Sequence, residues 1–267
     1  MQKLSNNKLW IERMARFGYA VKGVVYLIVG LLAMPVSLGI AASKAASTSD
    51  VLRIIVTQPF GKFLLTVVAV GLISYAVWRF IQALVDPEHQ GKKAKRVIPR
   101  FGYAISGASY AGLAFSAVQI IFGTPSSSSW RQDWTARLLA QPFGQWLVGI
   151  VGVVVIGVGI SLTYVAFSAT FRQRLQLTKM SNTQIKWAMG IGRFGVTARS
   201  CAFGVIGLLL IQAAIESDPD EVKGLGGALQ TLAEEPFGQW LLVAISVGLV
   251  AYAIYLFVLA WFRQIRI

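Results

Sequence analysis

Three basic residues interrupt stretches of chain that are otherwise apolar: Lys22, Arg79 and Arg199. No Asp or Glu accompanies them in those stretches. Cations placed this way have three uses. They can gather in an inward pocket and coordinate an anion or a lipid head group. They can snorkel back to lipid phosphates at the membrane surface, or they can pair with helix-end carbonyls. The spacing gives the first use a geometry. Tyr19, Lys22 and Tyr26 lie three and four residues apart, as neighbours on one helical face do. Tyr103, Ser106 and Tyr110 repeat that face, and Val196, Arg199 and Phe203 repeat it again. Arg79 falls near the end of its own apolar stretch. The candidate ligand or head-group residues are therefore Lys22, Arg79, Arg199, Tyr19 and Tyr26.

Other chemistry has little to stand on. Proton relays and cation-coupled carriers use Asp or Glu inside the membrane, and the apolar stretches contain neither. The single histidine, His89, sits beside Asp86 and Glu88 and reads as a solvated loop residue. No His-Glu-x-x-His, Gly-x-Ser-x-Gly or phosphate-cradling Gly loop with a Lys is present. The one cysteine, Cys201, cannot form an internal disulfide or a cysteine metal cluster, and it reads as a small buried packing residue. No catalytic residue, metal or cofactor is expected, and the chain does not read as an enzyme.

The elements that must position these residues announce themselves by repetition. Arg16-Phe17-Gly18, Arg100-Phe101-Gly102 and Arg193-Phe194-Gly195 each open an apolar run, and Pro59-Phe60-Gly61, Pro142-Phe143-Gly144 and Pro236-Phe237-Gly238 open a second. From each Arg to its Pro the spacing is 43, 42 and 43 residues, too constant for chance. Six runs result, at about 17–40, 63–85, 101–123, 144–169, 194–215 and 238–262. Each is long enough to cross ~30 Å of hydrocarbon as a helix. The charged fraction of 13% is about half that of soluble domains. In lipid the backbone must satisfy its own hydrogen bonds, so the runs are expected to be helices; the absence of apolar/polar alternation excludes a barrel. The first run exceeds the ~7–15 residues of a signal core, so it is expected to be a retained helix.

The expected fold is all-α: an integral membrane six-helix bundle of three tandem two-helix repeats, at 1–90, 91–180 and 181–267. Each outer loop is expected to carry a short amphipathic helix. Val51, Leu52 and Ile55 mark it in the first unit, Trp130, Trp134, Leu138 and Leu139 in the second, and Leu225, Ala228, Leu229 and Leu232 in the third. Pro59, Pro142 and Pro236 are expected at the first helical position, where a missing N–H costs nothing. Gly61, Gly144 and Gly238 then allow close backbone approach, and Gly18, Gly102 and Gly195 recur after each Arg. The small-xxx-small steps Gly102/Ser106 and Gly157/Ser161 are expected at helix–helix contacts.

These residues resemble a known family. The Arg-Phe-Gly-Tyr opening, the basic or small residue six positions after the Arg, and the later Gln/Glu-Pro-Phe-Gly-x-Trp/Phe-Leu all match it. So does Gly71-Leu72-Ile73-Ser74-Tyr75-Ala76, echoed by Gly248-Leu249-Val250-Ala251-Tyr252-Ala253. The family is the bacterial one named only as domain of unknown function 1206, and the likeness covers essentially the whole chain. It implies a six-helix bacterial membrane protein and no activity. The second unit departs from the pattern: Val154, Val158 and Gly159 stand where Gly, Tyr and Ala stand elsewhere.

The formal charge of +14 is polarised. Sixteen of the 25 Lys and Arg lie on the side holding both termini, and six lie opposite. Loops rich in Lys and Arg stay cytoplasmic, so both termini are expected there, in a bacterial plasma membrane. The basic stretch from Lys92 to Arg100 suits anionic lipid head groups; no aromatic residue interleaves it as a nucleic-acid platform would require. The expected partners are membrane lipids, not nucleic acid. Two functions fit: a lipid-embedded scaffold or accessory protein with a basic cytoplasmic face, or a transporter or channel for an anionic or amphipathic solute using Lys22, Arg79 and Arg199. The orientation has a direct check. In a Cys201→Ser background, Asp50→Cys should react with an impermeant thiol reagent added to intact cells, and Lys93→Cys should not; the reverse pattern sinks the orientation.

Overall fold

The computed structural model describes residues 2–37, 48–85, 93–123, 143–168, 180–216 and 238–263. Seven helices occupy them: α1 (Gln2–Ser37), α2 (Thr48–Thr57), α3 (Gly61–Val85), α4 (Lys93–Ile121), α5 (Gly144–Phe167), α6 (Asn182–Glu216) and α7 (Gly238–Phe262). All but α2 are long and apolar enough to cross a membrane. Pro142, Pro236, His89, Lys92 and the amphipathic segments expected in the second and third outer loops lie outside the described residues.

The first membrane helix of each unit starts earlier than its apolar run. α1, α4 and α6 begin at Gln2, Lys93 and Asn182, well before Arg16, Arg100 and Arg193. The Arg-Phe-Gly triplets therefore mark where a helix enters apolar surroundings, not where it starts. Their arginines do the same work three times. Arg16 donates to Ala260 O (3.1 Å) and to Trp261 O at the end of α7. Arg100 donates to Ala83 O (2.6 Å) and Leu84 O (2.8 Å) at the end of α3. Arg193 donates to Ala166 O (3.3 Å) at the end of α5. The last carbonyls of a helix have no partner within it, and a cation there also meets the negative end of the dipole. Each triplet arginine thus clasps the neighbouring unit.

The other triplet corrects one expectation. Pro59 lies in the turn before α3, and Gly61 is the first helical residue. Phe60 takes a positive φ of 60°, and its carbonyl accepts from Leu64 N at 3.0 Å. Phe143 plays the same part for α5, accepting from Leu147 N at 3.1 Å. A Cβ on Gly61 would overlap the carbonyls of Ile55 and Val56, so only Gly lets α2 turn so tightly into α3. α2 folds back onto the bundle and buries Val51, Leu52 and Ile55.

Around the bundle the helices run α4, α3, α1, α7, α6, α5. Three related pairs of helices would close this row into a ring. Among the described residues the ring is open at one place, because α4 and α5 share no packed seam. The reason lies in what seals the other two units. Gly18 on α1 faces the backbone of Tyr75 on α3, and Gly71 on α3 faces Val21. Gly195 on α6 faces the backbone of Tyr252 on α7, and Gly248 faces Ala198. The corresponding residues of the second unit are Gly102, Val154 and Val158. Gly102 has nothing nearby, and Val154 and Val158 are exposed. Gly157 also has nothing nearby, so the steps Gly102/Ser106 and Gly157/Ser161 are not helix contacts as expected but line the two sides of the opening. Cys201, expected to be buried, faces outward.

Aromatic side chains collect at both ends of the bundle. Phe60, Phe63, Phe143, Trp146 and Trp240 are exposed at one, and Phe101, Trp187, Phe194 and Trp261 at the other, as interfacial belts require. The seams predict opposite responses to one substitution. A methyl on Gly18 would sit 2.8 Å from Tyr75 backbone atoms, so Gly18→Ala should destabilise the bundle by about 1–3 kcal/mol. Gly195→Ala should do likewise, whereas Gly102→Ala should be neutral or stabilising by up to ~1 kcal/mol through helix propensity. Thermal unfolding of the three variants in detergent checks this, and equal losses at all three would contradict the open seam.

Candidate functional site

Lys22, Arg79, Arg199, Tyr19 and Tyr26 converge in the structure. α1 carries Tyr19, Lys22 and Tyr26 on one face, as their spacing requires, and that face points into the bundle. Lys22 is the most deeply placed cation, only 1% exposed. It does not snorkel to the membrane surface. Its Nζ donates to Tyr75 Oη at 3.0 Å and is ringed by Tyr75, Tyr110, Tyr252 and Tyr26, with ring centroids 4.6, 4.8, 5.6 and 5.7 Å away. A desolvated cation over an aromatic face gains ~2 kcal/mol or more, which offsets part of the cost of removing the ammonium from water.

Arg79 comes from the last third of α3 and shares the same hydroxyl. Its Nε and Nη2 donate to Tyr75 Oη at 2.8 and 2.5 Å, and its Nη1 donates to Gln82 Oε1 at 3.0 Å. Its guanidinium also lies over Tyr103 on α4. Arg199 on α6 donates from Nη1 to Tyr252 Oη at 2.9 Å and stacks over Phe203, Tyr252 and Tyr26. The link recurs in the first and third units with the same spacing: Lys22 to Tyr75 and Arg199 to Tyr252 each span 53 residues. The second unit has Ser106 and Val158 there, and so lacks both ends of it.

A fourth cation was not apparent from the sequence, where Arg263 looks like part of the basic C-terminal end. It is buried, donates from Nη1 to Tyr19 Oη and lies over that ring. Tyr75, Tyr103, Tyr110 and Tyr252 were also outside the expected site. The signals for them were the face of Tyr103, Ser106 and Tyr110 that repeats that of Lys22, and the paired Gly71…Tyr75 and Gly248…Tyr252, which looked like packing and are that as well. The tyrosines hold one another edge to face: Tyr19 with Tyr75 (5.2 Å), Tyr26 with Tyr252 (5.0 Å) and Tyr75 with Tyr110 (4.7 Å). Tyr110 Oη lies 3.4 Å from Tyr26 Oη.

Arg79, Arg199 and Arg263 are all close enough to repel Lys22. The ion pair of Arg16 with Glu12 precedes Tyr19 on α1. Tyrosine hydroxyls and ring faces take the place of carboxylates. Arg199 Nε is among the buried polar atoms that make no hydrogen bond. Such an arrangement can accept a phosphate or carboxylate, whose oxygens match guanidinium forks.

The fold defines the class: a multi-pass α-helical membrane protein made of three tandem two-helix units around an internal cluster of cations and tyrosines. The chain belongs to the family described as Domain of Unknown Function (DUF1206), whose model matches residues 17–86, 101–169 and 194–263. It is similar to the "Uncharacterized protein YxxB" of Bacillus subtilis (strain 168), at 35% identity over 248 residues, covering 93% of this chain and 90% of that relative. No solved structure matches the chain.

The shared hydroxyl makes Tyr75 the hinge of the cluster's stability. Tyr75→Phe leaves Lys22 and Arg79 without their common acceptor and should cost about 1–3 kcal/mol, read as a lower thermal midpoint in detergent. Tyr164→Phe, at an exposed tyrosine of α5, should leave the midpoint unchanged. Equal midpoints for the two variants would show that the hydroxyl contributes nothing.

Proposed function

We propose that the protein binds an anion within the bacterial plasma membrane, a phosphate- or carboxylate-bearing ligand held by Lys22, Arg79, Arg199 and Arg263 in the manner of a carrier or transfer protein. No covalent step is part of this reading. Both termini face the cytoplasm, so the cluster, ~9 Å beyond the Arg16 level along α1, lies in the cytoplasmic half of the membrane. The anionic lipids of that leaflet are its neighbours.

One observation carries the reading: Lys22, Arg79 and Arg199 gather in the interior of an apolar bundle, where their described partners are tyrosines and a glutamine rather than carboxylates. Buried charges are ordinarily paired, and an intramembrane ionisable residue is by default a functional group. An anion supplies the missing negative charge. The scaffold or accessory reading, with its basic cytoplasmic face, keeps a support of its own. Lys22 is packed closely by tyrosine rings, and the two described surface grooves, one beside Phe80 and Phe115 and one beside Trp187 and Phe194, do not reach it.

The test replaces the charges. Purified protein titrated with inorganic phosphate and with glycerophosphoglycerol should bind at least one of them, and Lys22→Leu/Arg199→Leu should weaken that binding by about tenfold or more. Lys22→Met, close to lysine in length, should weaken it in the same direction while keeping the fold. Flux of the bound anion from proteoliposomes separates a carrier from a static binder. Absence of binding in the wild type, or unchanged binding in the double variant, returns the protein to the scaffold reading.

A further inference from the structure

The α4 side of the opening borders the cation cluster. The cluster is sealed on the side of the first unit, where Tyr19, Lys22 and Tyr75 are buried. It is less sealed toward the second, where Tyr103, Ser106, Arg199 and Phe203 are only half-buried. Tyr103 and Tyr110, which lie over Arg79 and beside Lys22, belong to α4 itself. One wall of the opening is thus also one wall of the site.

The surfaces facing the opening are apolar and small. Gly102 and Ile105 on α4 occupy the places that Gly18 and Val21, or Gly195 and Ala198, fill in the sealed seams; Val154 and Val158 on α5 occupy those of Gly71 and Tyr75. All four are exposed, and beside Gly102 and Gly157 no described atom lies within 4 Å. Three substitutions that distinguish the second unit act to the same effect. Val154 removes the close approach, Val158 removes the tyrosine, and Ser106 removes the cation that would bind its hydroxyl.

We infer that the ligand is an anionic phospholipid, its phosphate held by the cation cluster and its acyl chain lying between α4 and α5. This rests on the anion-binding reading above and narrows it. A head group tied to a chain cannot reach the interior of a closed ring of helices from the side unless the chain passes between two of them. The seams of the first and third units are closed by backbone approaches too tight for a methyl group. The second unit leaves the space, it is lined by apolar residues that suit hydrocarbon, and Tyr103 and Tyr110 of α4 stand between it and the cations. The unused Arg199 Nε is a donor left for the phosphate. The break in the threefold repeat is then the ligand's way in, not an imperfection of it.

The experiment compares dioleoyl phosphatidylglycerol with glycerophosphoglycerol, the same head group without chains. Val154→Gly/Val158→Tyr gives the second unit the residues that seal the other two. Gly157→Trp instead fills the space with bulk. Both variants should lose about tenfold or more in retention of the phospholipid, read by native mass spectrometry, while binding of glycerophosphoglycerol changes by less than about twofold. Phospholipid retention equal to wild type in both variants overturns the inference. So does a wild-type dimer that becomes monomeric in the variants with phospholipid binding intact, because a second copy of the chain would then occupy the opening. Wild-type protein that binds neither compound defeats the anion-binding reading itself, a result distinct from the other two.

Discussion

The constraint on which the rest of this structure depends is the placing of positive charge where water is scarce and no acid stands beside it. A carboxylate would be the ordinary remedy, and the apolar runs contain none. Tyrosine replaces it in two ways at once. Its hydroxyl accepts from the cation, as Tyr75 does from Lys22 and Arg79 and Tyr252 does from Arg199. Its ring face offers the negative quadrupole, as four rings do around Lys22. Neither interaction neutralises the charge. Lys22, Arg79 and Arg199 are thereby stabilised by groups that carry no formal negative charge.

The same tyrosines hold the helices together, and this ties the site to the fold. Gly18 and Gly195 let the backbones of Tyr75 and Tyr252 come close enough for their side chains to reach inward. A larger residue at either glycine would push the helix pair apart and withdraw the hydroxyl from its cation. Packing and coordination in the first and third units are therefore one device. The arginine clasps are a separate one, binding each unit to the next through helix-end carbonyls. The second unit keeps the clasps at Arg100 and Arg193 and lacks the inner device. It stays attached to both neighbours while its own two helices stand apart.

Much of this was legible before any coordinates. The six apolar runs, their helical state and the threefold repeat followed from length, composition and a constant spacing, because a membrane leaves the backbone few alternatives. The face shared by Tyr19, Lys22 and Tyr26 followed from the period of the helix. The departure of Val154 and Val158 from the pattern was visible too, but not its meaning. A valine for a glycine in an apolar run looks conservative until the glycine is seen to admit a neighbouring backbone. Arg263 was misplaced for a related reason: near a chain end, a basic residue looks like one more interfacial charge.

The sequence by itself determined that this is a membrane protein of three repeated helix pairs, carrying cations without acids at a fixed depth. Those properties depend on local periodicity and on the solvent the chain must satisfy. Only the tertiary structure decided that Lys22 turns inward to tyrosines, that Arg263 joins it, and that the row of helices opens between α4 and α5. Each of these depends on which surfaces meet across long separations in the chain. A snorkelling lysine and a buried one have the same neighbours along the helix; what tells them apart is whether Tyr75 and Tyr252, on other helices, are close enough to receive the charge.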